Sequence, residues 1–496
     1  MIRIKGQVIR EQKSFFNQCV FHPTDAVEDP WGRRILDRMA RDKAINTIRI
    51  YAMLEDIVYL DENGELAFDF RLNDLRLDYL RDKGYNLVIA YAGIPDCIST
   101  TESGRTSVSK NKTRYKGKLW NTNPPADYAM WERICYEYTK HIIERYGELA
   151  INNWRVHCFN EPDIACFFLS QIEERAEENI KVRCNEYLRL YEAFARGVKR
   201  AAEKLRIGGP AHAVVPGFLE CFLNGVKERK LPMDYISIHV YGTDPFLLNS
   251  GEDKLSVDIM MKRMNARLDI IKKCGFEKTP IVVDEWGASS HGFFNSEECK
   301  ILMFRETEVF SSYFVRLIRR LMDLDISLDG HMICLSGQHE MTEDFTGFRN
   351  FFTLNFIAKP IYNAYLLSSR MYSGLVDYEK TADAVDVIPT RDENGEYMVA
   401  VTYSDECFTE DIEAVKEVVS FDENIIGKAV TVWCIDKEHT NPYRLYERLG
   451  IDKPTEEEIL LLREEGNLKP IATFTAVENE IEINLSANST YFISIK

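Results

Sequence analysis

The sequence predicts an α/β protein, a (β/α)8 barrel with a C-terminal β-sandwich, on three observations. From about residue 15 to about 370, short apolar runs rich in β-branched and aromatic residues alternate with longer stretches of helical period. Eight such strand–helix units follow one another, the number that closes a parallel barrel. After about residue 374 the pattern changes to short β-rich runs separated by turns, as in an antiparallel sandwich.

The strands of the first part are expected, in order, at 15–21, 47–51, 86–91, 154–159, 206–209, 235–239, 281–285 and 330–335. Helical periods fall between them at 72–83, 126–146, 183–204, 255–273, 299–322 and 360–371; the second carries Trp131, Ile134, Tyr138 and Ile142 at spacings of three and four. Strands joined by helices pair in parallel. A doubly wound open sheet would normally show a Gly-rich first turn, and none is present. The second part has strands expected at 397–403, 429–435, 471–477, 481–485 and 490–495, with one clear helix at 455–465. Ile481-Glu482-Ile483-Asn484-Leu485 shows the alternation of a half-buried strand, and so does the segment 1–10. The expected division is therefore 1–14 as a strand joining the sandwich, 15–372 as the barrel and 373–496 as the sandwich.

Composition excludes several functions. The 496 residues carry 62 Lys+Arg against 79 Asp+Glu, a formal charge of −17, which repels nucleic acid and anionic membranes as main partners. No apolar run approaches the roughly 18 residues that cross a bilayer, and the alternating N-terminus lacks the apolar stretch of a signal peptide. The twelve Cys are scattered singly with no CxxC pair, so reduced thiols and a cytoplasmic location are expected. HExxH, P-loop and GxGxxG motifs are all missing.

In a barrel, reactive residues sit at the C-terminal ends of the strands. The fourth strand ends Phe159-Asn160-Glu161-Pro162, and the seventh ends Val283-Asp284-Glu285-Trp286. Each places a Glu where a loop begins, after an otherwise apolar run. Strands four and seven lie three apart in a ring of eight, so Glu161 and Glu285 can converge on one ligand. Two such carboxylates, one held protonated and one ionised, are the minimum equipment for cleaving a glycosidic bond. That chemistry needs neither metal nor organic cofactor, and its partner is a small oligosaccharide or glycoside.

These residues resemble clan A of the glycoside hydrolases and, within it, glycoside hydrolase family 39, the β-xylosidases and their relatives. The likeness rests on Tyr115-Lys116-Gly117 with Pro124-Pro125-Ala126-Asp127-Tyr128, on Phe159-Asn160-Glu161-Pro162-Asp163, on Ile238-His239-Val240-Tyr241, and on Thr440-Asn441-Pro442-Tyr443. The resemblance implies that Glu161 is the general acid/base and Glu285 the nucleophile of a retaining exo-glycosidase. It implies that Asn160 binds the sugar hydroxyl next to the reacting carbon, that Tyr241 donates to Glu285, and that His239 lines the sugar site. Trp286 and Phe167 are expected as sugar platforms. Homo-oligomers are common among such relatives, although no interface shows in the sequence. Three departures change the recognition surface. Tyr51 stands where a His is expected, Phe159 replaces a Trp, and the eighth strand lacks its aromatic floor while offering Glu340 as a sugar-binding carboxylate. A basic stretch, 105–118, carries Arg105, Lys110, Lys112, Arg114, Lys116 and Lys118 with no acid, and is read as a solvated insertion.

Overall fold

Eight parallel strands close into a barrel in the computed structural model, which describes residues 1–11, 19–100, 105–106, 120–244, 255–290, 292, 294–336, 341–382, 384–404 and 413–496. After β1 (Ile2–Glu11), the chain enters the barrel with β2 (Cys19–Phe21) and β3 (Thr47–Tyr51). A short ribbon, β4 (Val58–Leu60) with β5 (Leu66–Phe68), precedes β6 (Asn86–Tyr91), and a second, β7 (Arg105–Thr106) with β8 (Trp120–Asn121), follows it. The barrel continues with β9 (Arg155–Cys158), β10 (Arg206–His212), β11 (Tyr235–Thr243), β12 (Ile281–Ser289) and β13 (Leu328–Cys334), and β13 pairs with β2 to close it. All eight expected strands are present; the 15–18 part of the first, the basic stretch beyond 106 and Glu340 lie outside the described residues.

Two barrel helices escape the sequence reading, Pro30–Arg41 and Pro216–Glu228. Each begins with proline at its first turn, where a missing N–H costs nothing, and the first is capped by Asp29, which accepts from the amides of Trp31 and Gly32. The glycines Gly32, Gly217 and Gly225 blur both patterns. Gly32 is required by contact, since a Cβ there would lie 2.1 Å from the Ala26 carbonyl oxygen.

The remaining strands form one nine-stranded sheet in the order β19-β18-β21-β16-β15-β14-β1-β17-β20. They are β14 (Gly374–Lys380), β15 (Val385–Arg391), β16 (Tyr397–Tyr403), β17 (Val415–Phe421), β18 (Ala429–Ile435), β19 (Ala472–Thr475), β20 (Glu480–Leu485) and β21 (Ser489–Ile495). β1 sits within this sheet, antiparallel to β14 and parallel to β17. Four strand intervals separate β16 from β17, about 19 Å in a flat sheet, yet the rings of Tyr397 and Phe421 are 5.4 Å apart. The sheet therefore folds back on itself, and Ile4, Val387, Val399, Val419, Val432, Ile483 and Ile493 fill the space between its halves. The sandwich is one continuous, curled sheet.

Two expectations are corrected. A second helix, Pro442–Leu449, accompanies Glu456–Gly466, and the Thr440-Asn441-Pro442-Tyr443 motif is its entry. Asn441 caps it by accepting from the Arg444 amide, while its Nδ2 donates to Glu308 at 2.8 Å and the Arg444 guanidinium holds the other oxygen of Glu308 at 2.8 Å. Glu308 starts the barrel helix Glu308–Met322, so this motif fastens sheet to barrel. Cysteines also meet: Cys184 and Cys221 form a disulfide between helices Glu177–Ala201 and Pro216–Glu228. Sequence spacing alone hid the pairing, because it depends on two helices packing side by side.

Candidate active site

The barrel brings Glu161 and Glu285 together above its C-terminal rim. One oxygen of each carboxylate and a ring nitrogen of His239 all lie within 4.8 Å of one another. Local backbone geometry aims both acids. Phe159 and Glu161 adopt φ of 62° and 45°, left-handed values that cost about 1–3 kcal/mol each in a non-glycine residue. The turn is held by amide bonds from Phe159 to the Tyr91 carbonyl and from Glu161 to the Ala211 carbonyl. Asp163, fully buried, ties the same loop to the next one by accepting from the amides of Ala213, Val214 and Val215 at 2.7 to 2.9 Å.

At the seventh barrel strand a bulge does the aiming. Ile238 pairs with Val283 but His239 pairs with Glu285, leaving Asp284 as the extra residue on β12. A bulged residue breaks the strict alternation of a strand, so consecutive Asp284 and Glu285 both face the interior. Asp284 lies beneath the acids, 3.3 Å from Arg49 Nε and 3.5 Å from His239 Nε2.

Arg49 organises the floor, a role the sequence reading missed. Fully buried on β3, its guanidinium donates to Glu285 Oε1 at 2.7 Å, to Asn160 Oδ1 at 2.7 Å and to His157 Nε2 at 3.1 Å. Arginine's planar fork suits such multiple recognition. Burial alone would lower the Arg49 pKa, but Asp284 and Glu285 raise it, so the cation persists. With Oδ1 taken, Asn160 keeps a buried Nδ2 donor with no partner among the described residues, available to a ligand hydroxyl. A charged Arg among apolar neighbours near a strand end was the signal to follow.

The two carboxyls are pushed apart electrostatically. Burial would raise Glu285, but His239, Arg49 and the Tyr241 phenol, which donates to Oε2 at 2.7 Å, bring it down to about 2. Burial raises Glu161, against the opposing pull of His239, whose Nδ1 lies 2.6 Å from Oε1. His239 itself would fall on burial, but Glu285, Asp284 and Glu161 lift it to about 10. One acid is thus held toward its ionised form and the other is pushed toward its protonated form, the direction of division that acid/base chemistry requires.

The aromatic residues sort differently. Tyr51 packs near the rim with ring centroids 5.2 Å from Phe21 and 5.7 Å from Trp120. Trp120 donates to the Phe167 carbonyl at 2.9 Å and meets the Phe167 ring edge-on at 5.3 Å, so Phe167, half-buried, belongs to this rim. Trp286 does not: it is fully buried, stacked on Phe314 and edge-on to Phe310 of the helix outside the barrel. Glu285 points in, so the alternation of the strand sends its neighbour Trp286 out. Among the described residues, a second group with ligand-like spacing, Cys434, Asp436 and His439, lies in the curled sheet and is occupied by its own turn hydrogen bonds.

Removing the Tyr241 hydroxyl gives a first expected result. Because that phenol lowers the Glu285 pKa, Tyr241→Phe moves the acidic limb of the kcat/KM profile to higher pH, with activity lost at pH values where wild type still works. The profile against an aryl glycoside measures it.

A closed parallel barrel whose fourth and seventh strands deliver two opposed, oppositely poised carboxylates defines a glycoside hydrolase. The profile of the glycosyl hydrolases family 39 matches residues 2–478, and the chain belongs to that family. It is similar to the β-xylosidase of Caldicellulosiruptor saccharolyticus, 25% identical over 513 residues that cover 99% of this chain and 97% of the relative. It also resembles the α-L-iduronidase of Canis lupus familiaris, 24% identical over 254 residues, 49% of this chain and 33% of that enzyme. The fold superposes on a monomeric β-xylosidase from Caulobacter crescentus CB15 with a TM-score of 0.82 at 18% identity, covering 100% of this chain and 99% of the other.

Proposed function

We propose that the protein is a retaining exo-glycosidase that removes single sugars from short oligosaccharides by double displacement, with β-xylosides as its substrates. The observation that carries the mechanism is the spacing of Glu161 and Glu285, oxygens within 4.8 Å. Retaining enzymes hold their carboxyls about 5–5.5 Å apart, whereas inverting ones leave about 6.5–9.5 Å for a water. In the first step Glu285 attacks the anomeric carbon while Glu161 gives its proton to the departing oxygen. In the second, Glu161 takes a proton from water, the water oxygen attacks the same carbon, and Glu285 leaves. Arg49 holds Glu285 in line, and Asn160 Nδ2 meets the neighbouring hydroxyl. The chemistry belongs to residues 15–372, with 373–496 and the 1–14 strand as an accessory unit fastened through Glu308.

The substrate follows the β-xylosidase relative that spans the whole chain. A specific observation favours a second reading, uronides. Arg349 donates to Ser336 and Cys334 at the end of the eighth strand and lines a small cavity with Tyr241 and the buried Arg305. A cation stands there in place of the aromatic floor. An aryl glycoside panel separates the two: release from the β-xyloside supports the first, and turnover of a uronide without the xyloside supports the second.

Glu161→Gln tests the acid. Aryl glycosides with good leaving groups are expected to remain substrates, poor ones to be lost, and the basic limb of the pH profile to disappear. Glu161 is the group whose deprotonation ends activity as pH rises, and its pKa is raised.

A further inference from the structure

A third acid lies beneath the two glutamates. Asp284 is fully buried, turned inward by the bulge in β12, and neither of its oxygens accepts a hydrogen bond among the described residues. A carboxylate so placed is held by charge, since burying it unpaired is costly. Its Oδ2 lies 3.3 Å from Arg49 Nε, and its Oδ1 lies 3.5 Å from His239 Nε2. His239, fully buried on β11, turns its other nitrogen to the glutamates. Nδ1 lies 2.6 Å from Glu161 Oε1 and 3.7 Å from Glu285 Oε2. The ring thus has Asp284 on one side and both glutamates on the other. The neighbouring histidines do not compete for its proton, because burial lowers His157 of β9 to about 3 and His212 of β10 to about 4. Burial also keeps the Tyr241 phenol protonated, and Arg49 of β3 is committed to Glu285, Asn160 and His157.

We propose that Asp284 is a positioning residue that acts through His239: it keeps the imidazole doubly protonated, and that cation serves Glu285 and Glu161 in turn. The inference rests on the roles given above to the two glutamates. Before reaction, with Glu161 protonated, the negative charges of Asp284 and Glu285 are matched by Arg49 and His239. In the first step an electron pair of Glu285 bonds the anomeric carbon, the bond to the departing oxygen breaks, and that oxygen takes the Glu161 proton. Glu285 is then a neutral ester, and the negative charge has moved to Glu161. His239 keeps both of its protons but now pairs with the other acid through Nδ1, so the buried charges still balance. The second step returns the charge to Glu285. A ring with one proton, held at Nε2 by Asp284, would turn a lone pair toward the newly formed Glu161 carboxylate and oppose the step. Burial pulls the ring down, and Glu285, Asp284 and Glu161 lift it to about 10. Each glutamate loses its charge in one half of the cycle, whereas Asp284 is the constant anion.

Nitrogen-15 NMR of the histidine-labelled full-length protein reads the ring directly, with His239→Asn identifying its signals. Both His239 nitrogens are expected to be protonated at neutral pH and to stay so well above the range of an ordinary histidine. In Asp284→Asn the same ring is expected to read neutral at neutral pH and to gain its second proton only on acidification. The kinetics should follow the ring. Asp284→Asn loses about tenfold or more of kcat/KM on an aryl glycoside at neutral pH, recovers toward wild type as the pH falls, and shows its basic limb displaced to lower pH. Damage to packing alone would depress the rate equally across the profile. A neutral His239 in the wild type overturns the proposal whether or not the variant folds. So does a ring that remains charged in Asp284→Asn, or a rate loss that does not depend on pH. The ring is read without substrate, so a protein that cleaves no glycoside would refute the glutamate roles, and a neutral ring would refute this one.

Discussion

Glu285→Gln is expected to abolish turnover of every glycoside the wild type cleaves, lowering kcat/KM by about 10^4-fold or more, as loss of a nucleophile does elsewhere. The substitution keeps shape: the amide oxygen still accepts from Arg49, and the amide NH2 donates to the Tyr241 hydroxyl, whose role reverses, so the melting temperature should stay close to wild type. What disappears is the charge that attacks the sugar carbon. Steady-state kinetics on an aryl glycoside, beside a melting curve, measures both. A variant with near-normal kcat/KM would remove Glu285 from the reaction.

Arg49→Met is expected to be nearly as severe by a different route. The guanidinium touches Glu285, Asp284, Asn160 and His157 at once, and all lie in the interior. Its loss leaves two buried carboxylates with His239 as their nearby cation in place of two, and removing one partner of a buried pair costs about 3–5 kcal/mol. The melting temperature should fall accordingly. The acidic limb of kcat/KM should also move up from the region of the Glu285 pKa, about 2, because Arg49 is among the charges that hold that value down. Arg49→Lys restores a charge but not the planar fork, so the limb should return part of the way while the rate stays low. A fall in stability with an unmoved pH profile would make Arg49 a structural residue only.

The barrel was legible because period two and period 3.6 alternate along the chain, and because the glutamates stand at the ends of apolar runs. The two proline-led helices were not, since Gly32 in the first and Gly217 and Gly225 in the second interrupt the periodicity that betrays a helix. Asp284 and Trp286 show a subtler limit. Strand alternation assigns one of any two neighbours to each face: it sends Trp286 out against Phe314 once Glu285 faces in, and only the bulge between β11 and β12 turns Asp284 inward as well. Bulges carry no reliable sequence signal, so Asp284 escaped notice, whereas the sugar-platform reading of Trp286 overlooked its alternation with Glu285. Arg49 was visible in Thr47-Ile48-Arg49-Ile50-Tyr51, but its worth depends on partners more than a hundred residues away. The disulfide between Cys184 and Cys221 is likewise a product of helix packing.

The most direct test of the account is mass spectrometry of the protein after reaction with an activated 2-deoxy-2-fluoro glycoside of its preferred sugar. Such a compound lets the covalent intermediate form and slows its hydrolysis. The label is expected on the peptide that carries Glu285, and addition of an acceptor alcohol should restore activity as the label leaves. A label on Glu161, or a first product of inverted configuration from an unlabelled enzyme, would contradict it.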